Sequence, residues 1–244
     1  PQLVTELLVD GQQSQSTGII LGGGTNLYTY GANNAVLHVN MENKAVSPLT
    51  APNSITMGAV DGDTVYLVDS NGTVYEANAE QLIPLGGPPA QGEAIQAYSG
   101  NLYVLQADKQ QINKQQRVGP TFQAAQAWIS DLGDANISTA TSFAIDGSIY
   151  VLNHGGLISK FHTGAQENFT NPIIEPSIQE ATRIITSTEL NDLYVLVPDS
   201  KRLLIISKSG ELRRQLVFES LPEIRDVAIS PDGTTAYLLA DDKL

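Results

Sequence analysis

Three histidines, His38, His154 and His162, are the only imidazoles in the sequence, and there is no cysteine. A metal site built on imidazole needs several ligands converging on one point. His38 lies inside the apolar run AVLHVN and reads as a packed or edge side chain, while His154 sits in a turn beside Gly155 and Gly156. A whole extended segment separates His154 from His162, which sends them to opposite ends of their element. No His-based metal site is expected. Nucleophilic hydrolysis has no better footing: G-x-S-x-G is absent, and Ser, His and Asp follow no recognisable triad order. The glycines within Leu21 to Gly24 lack the Lys and Ser/Thr of a phosphate loop and precede no helix, so they read as a wide hairpin turn. Residues 61–72, DGDTVYLVDSNG, carry acids like a calcium loop but lack its terminal bidentate Glu.

Charge narrows the partners. The net charge is −13, which disfavours a broad phosphate-binding surface because such surfaces draw their affinity from Lys and Arg. No nucleic-acid partner is expected. Six of the thirteen bases nevertheless fall within 201–225: Lys201, Arg202, Lys208, Arg213, Arg214 and Arg225. Gathered on one face, they would open an RNA-binding alternative. No window approaches the roughly 18 apolar residues of a spanning helix, so this segment is not expected to insert into a membrane. A start at Pro1 reads as an excised piece of a larger parent, whose own signal or anchor would lie outside it. Asn71, Asn136 and Asn168 begin N-x-S/T triplets, which have meaning only in a glycosylating cell.

The elements that must position these residues repeat along the chain. A tyrosine inside an apolar run recurs in NLYTY, TVYLV, NLYVL, SIYVL, DLYVL and TAYLL, at Tyr28, Tyr66, Tyr103, Tyr150, Tyr194 and Tyr237. A repeat of this kind has to be found before anything else, because it sets the fold. A short apolar segment and a tight polar turn precede each tyrosine, and a polar corner and third apolar segment follow. Turns such as Asp-Gly supply the positive φ of antiparallel hairpins. The anchor runs are apolar at consecutive positions, so both faces of those strands must be covered.

Sheets of about four antiparallel strands, repeated every 40 or so residues with buried middles, fit blades around an axis. The expected fold is therefore all-β, a six-bladed β-propeller in one domain spanning 1–244. The blades run approximately over 11–49, 50–86, 87–132, 133–173, 174–218 and 219–244, with residues 3–9 (LVTELLV) closing the last. Outer strands are expected in AVSPL, LIPLGG, AQAWI and LRRQLVF. The stretch TFQAAQAWISDL, 121–132, is either a helical turn or the outer strand of the third unit.

DVAISPDGTTAYLLADDKL and SFAIDGSIYVL resemble the repeats of the NHL, SMP30-like and YncE-like propellers over nearly the entire chain. The resemblance also extends to propeller modules of bacterial envelope proteins, which implies an extracytoplasmic setting. SMP30-like lactonases hold a divalent metal in the central channel through Glu, Asn and Asp. The corresponding positions ahead of the inner strands read as Thr17, Ser54, Ala94, Thr141, Arg183 and Arg225, which offer no such set. No cofactor and no metal are therefore expected.

Recognition is expected at the corners on one rim of the channel, since loops on a rigid scaffold are the usual place for it. The candidate residues are Asn33, Asn34, Asp69, Asn71, His154, Arg183, Lys201, Arg202 and Arg225. Arg183 and Arg225 either pair internally, with Asp226, Glu180 or Glu223, or present a cationic spot to an anion. Trp128, the only tryptophan, is either a partner anchor or an edge-packing residue. The functional expectation is a non-catalytic, monomeric binding or sensing module for a protein or a small polar ligand. The alternative is a metal-dependent hydrolase or lactonase with its site in the channel.

Overall fold

The computed structural model describes residues 16–32 and 34–240. Consecutive apolar runs joined by short turns pair antiparallel, each sheet being laid down in chain order. The first sheet is β1 (Ser16–Gly22), β2 (Asn26–Gly31), β3 (Ala35–Asn40) and β4 (Val46–Thr50). The second is β5 (Ile55–Asp61), β6 (Thr64–Asp69), β7 (Val74–Ala77) and β8 (Leu82–Pro84). The third contains β9 (Ala94–Tyr98), β10 (Asn101–Gln106) and β11 (Gln111–Val118), with β12 (Thr121–Phe122) and β13 (Gln126–Ala127) both paired to β11. The fourth is β14 (Ala140–Ile145), β15 (Ser148–Asn153), β16 (Ile158–His162) and β17 (Ala165–Glu167). The fifth is β18 (Arg183–Ile185), β19 (Asp192–Val197), β20 (Arg202–Ser207) and β21 (Leu212–Val217). Finally β22 (Ile224–Ile229) pairs with β23 (Ala236–Ala240).

The anchor tyrosines share one register position, on the second strand of each sheet. They lie opposite Ile20, Ala59, Gln96, Ala144, Ile185 and Ala228 of the first strands. In the hairpin joining β9 to β10, Ser99 and Gly100 have φ of 51° and 72°, the paired left-handed residues of a tight turn matched to strand twist.

Packing closes these sheets into a ring. Each first strand touches the next, in the order β1, β5, β9, β14, β18, β22 and back to β1. Apolar clusters fill every gap between successive sheets. Leu67 and Tyr75 pack on Leu49 between the first two, Phe122 and Leu102 on Tyr66 between the next, and Phe143 and Phe161 on Leu105 beyond that. Ile184 and Val195 pack on Leu152, Ile224 and Val227 on Leu196, and finally Ile19 and Leu27 on Ala228 and Leu239. The second strands of the first five sheets are buried on both faces because those sheets are covered from both sides, whereas β21, at a periphery, contributes no buried residue. This is an all-β propeller. The one helical element in its described sheets is a 3-10 turn, Ala107–Lys109.

The stretch 121–132 forms the outer strands β12 and β13, not a helical turn, because β11 offers an unpaired edge. Trp128 packs there edge-to-face on Tyr103, with ring centroids 6.3 Å apart. Gly23 and Gly24, at φ 57° and 74°, make the turn between β1 and β2. The expected closing strand, residues 3–9, lies outside the described residues.

Candidate binding site at the channel mouth

Each inner strand begins with an irregularity at the same place. Counting back three residues from the tyrosine partner reaches Thr17, Thr56, Glu93, Thr141, Thr182 and Arg225. Register shifts fall at four of them, between Ser16 and Gly18, Ile55 and Met57, Ala140 and Ser142, and Ile224 and Asp226. In the other two sheets Glu93 N donates to Leu105 O and Thr182 N to Leu196 O, doubling up on a partner already taken by the next residue. An extra residue at a strand end re-aims its side chain. Five of the six are exposed and Arg225 is half-buried. They ring the end of the channel from which the corners between second and third strands also rise.

This register differs from the equivalence that the sequence spacing suggests. At the bulge position stand Thr56, Glu93 and Thr182, where the equivalence read from the sequence has Ser54, Ala94 and Arg183. Turn lengths vary from unit to unit, and the bulge adds a residue, so spacing alone slips. Arg183 and Arg225 are therefore not equivalent. Arg183 is equivalent to Asp226, one position further in, together with Gly18, Met57, Ala94 and Ser142.

That inner layer contains the buried charges of the channel. Arg183 Nε lies 3.5 Å from Asp226 Oδ1 on the neighbouring strand, an ion pair without a hydrogen bond. Both Asp226 oxygens accept backbone N–H groups: Oδ2 from Ile19 at 3.0 Å and Oδ1 from Val227 at 2.9 Å. Burial pushes the Asp226 carboxyl up, against the opposing pull of Arg183 and the two N–H groups. From the other side comes Tyr30, which runs so close over Gly18 and Gly58 that a Cβ at Gly18 would lie 2.3 Å from its ring. Only glycine leaves room for this passage. Burial pushes the Tyr30 hydroxyl up to about 12, with Arg183 and the Gly58 N–H pulling the other way.

The residues named from the sequence divide by burial. Asn33 lies outside the described residues. Asn71 and His154 are exposed on their corners. Asn34, at φ 60°, holds its corner by donating to Pro52 O and accepting from Ser54 Oγ. Lys201 donates from Nζ to Leu221 O at 2.7 Å, and Arg225 from Nη1 to Ser16 O at 3.2 Å. Asp69 and Arg202 do not face a ligand. Asp69 is 1% exposed and accepts from Asn53, Asn71 N, Thr73 N and Tyr75. Arg202 is 4% exposed and donates to Ser200, Pro176 O, Ser177 O and Gln215, tying the long segment before β18 to its sheet. Both are buried structural groups, since an unpaired charge at either place would be costly.

Asp69 carries a pH prediction. Burial would raise its pKa, but the four hydrogen bonds together hold it below the ordinary carboxylate value. Its stabilising contribution is complete above the ordinary value and lost as the pH falls through the depressed native one. Asp69→Ala is expected to lose about 1–3 kcal/mol in urea unfolding at neutral pH, with a shallower acid-side decline than the parent.

The bases of 201–225 do not gather. Lys208 pairs with Asp146 at 2.7 Å and Arg213 with Asp192 at 3.0 Å, at the ends of strands away from the Lys201 corner. His38 is buried against Tyr28 and hydrogen-bonds Asn26, with its pKa lowered by burial. Among the described residues, no three His, Asp or Glu side chains converge to hold a metal. Nor is any helix among them long and apolar enough to cross a membrane.

No family model matches the sequence, and no curated protein matches it either. Solved structures do. The WD40 propeller domain of Doa1 superposes with a TM-score of 0.64 at 13% identity, covering 98% of this chain and 95% of that one. Virginiamycin B lyase from Staphylococcus aureus gives 0.61 at 13% identity, covering 98% and 96%. PorZ of Porphyromonas gingivalis, a bacterial surface component of the type-IX secretion system, gives 0.61 at 14% identity, covering 93% of this chain and 30% of its own. Likeness at such identities establishes the β-propeller fold and no activity.

Proposed function

We propose that this chain is a six-bladed, non-catalytic binding module that engages a protein or a small polar ligand at the channel mouth. One observation carries the reading: the bulges that set Thr17, Thr56, Glu93, Thr141, Thr182 and Arg225 around a single opening. The exposed corner residues Asn71 and His154 flank that opening, with Asn34 and Lys201 beside them. A rigid ring with polar residues around one end is suited to recognition, because little is lost to ordering on binding. The count of six rests on the six inner strands and filled gaps, β22 and β23 being the described part of the sixth blade. An extracytoplasmic setting in a larger envelope protein belongs to the same proposal, with the likeness to the surface component PorZ in its favour.

A photo-crosslinking amino acid tests the mouth. At Thr141, with the protein expressed in its source cells, it is expected to give a discrete adduct that is absent from Ile83 on β8. Equal labelling at both positions, or none, contradicts the proposal. The lactonase alternative has its own check, calorimetric titration with Ca2+, Mn2+ and Zn2+ followed by a lactone-hydrolysis assay. No saturable uptake and no hydrolysis above buffer are expected. Stoichiometric metal binding with metal-dependent ring opening would put the enzyme reading in its place.

A further inference from the structure

Two arginines of the fifth sheet differ in how their guanidinium groups are used. Arg202 spends its nitrogens on four hydrogen bonds. Arg183 spends none: Nε is buried without one, and neither terminal nitrogen meets an acceptor among the described residues. Asp226 is already occupied by the Ile19 and Val227 N–H groups. A guanidinium offers five donors, and donors in such surroundings are nearly always satisfied. The Arg183 side chain is 20% exposed, so it is not wholly enclosed.

Two hydroxyls belong to the same region. Ser142 Oγ, on β14, accepts from Ile184 N at 3.2 Å and keeps its own O–H to donate. Tyr30, itself buried, packs over Gly18 and Gly58 and lies within the electrostatic influence of Arg183 and Asp226.

We propose that this inner layer of the channel binds the carboxylate of a small monoanionic ligand, with the terminal nitrogens of Arg183 as its fork. The proposal rests on the mouth being a binding surface, and it names the chemistry of what enters. A planar carboxylate matches the planar fork through two parallel N–H···O bonds. Charge decides against phosphate. One arginine balanced by one aspartate leaves no positive surplus for a dianion, and a monoanion brings half the charge to be accommodated beside that pair.

The test titrates the full chain with sodium acetate at constant ionic strength, following the Arg183 Nε–Hε resonance by NMR and the affinity by calorimetry. Acetate is expected to shift that resonance saturably, and inorganic phosphate is expected to bind more weakly. Arg183→Lys, which keeps the charge but loses the fork, is expected to weaken acetate binding by about tenfold. Asp226→Asn, which removes the repelling charge, is expected to tighten it. An acetate response that does not saturate, an affinity indifferent to Arg183→Lys, or tighter binding of phosphate each overturns the proposal. Should Arg183→Lys not fold, unchanged or weaker binding by Asp226→Asn does so. Adducts at Thr141 without an acetate response would sink the carboxylate alone and leave the mouth standing.

Discussion

Replacing Asp226 with alanine is expected to lower the unfolding free energy by about 3–5 kcal/mol, the range seen when one partner of a buried ion pair is removed. The residue is 6% exposed and its side chain holds three things together. It is the counter-ion of Arg183, and it accepts the N–H of Val227 and, across the seam where β22 meets β1, that of Ile19. Its loss leaves a guanidinium without a counter-charge and two donors without acceptors. The double variant Asp226→Ala with Arg183→Met is expected to recover part of the loss, because it no longer buries an unpaired charge. Urea unfolding of the four species of that cycle measures this. A double variant no more stable than Asp226→Ala would show that charge is not the cause. Because the native Asp226 pKa is raised, its protonated form contributes stability below the ordinary carboxylate value that is lost as the pH rises through the native one. Asp226→Asn is expected to remove that slope.

Phe143→Ala is expected to cost about 3–5 kcal/mol, the transfer term plus the cavity left in a core that cannot collapse onto it. Phe143 is fully buried in the cluster joining the third and fourth sheets, with Leu105, Ile112 and Phe161 around it. Its carbonyl also accepts from Gln96 Nε2 of the neighbouring sheet at 2.8 Å. Since each sheet is covered by both neighbours, the weakened chain should still unfold in one transition by calorimetry and circular dichroism. Two separated transitions would mean that the ring does not act as one unit. Ile83→Ala, on the exposed outer strand β8, should change stability by less than about 0.5 kcal/mol.

The candidate site was only partly legible in the chain. Asn71 and His154 lie exposed on their corners, because corner residues with turn chemistry stay exposed wherever the fold puts them. Asp69 was chosen for the same reason and proved to be the buried cap of its own corner, a difference that depends on Asn53 arriving from another segment. Arg225 is the second residue of β22, at the bulge and not ahead of the strand. Arg183 was shifted by one position, since Thr182 and not Arg183 doubles up on Leu196. Tyr30 was passed over as one more apolar strand residue. Gly18 and Gly58, which clear its path, were the available signal.

Taken by itself, the sequence determined the antiparallel hairpins, the tyrosine slot and the all-β propeller, because strand periodicity and turn chemistry are local properties that every unit repeats. It also determined that both faces of the anchor strands are covered. Only the tertiary structure decided which charges are hidden and which are presented. Burial of Asp226, Arg183 and Arg202 follows from what distant strands lay over them, and no spacing along the chain encodes that contact.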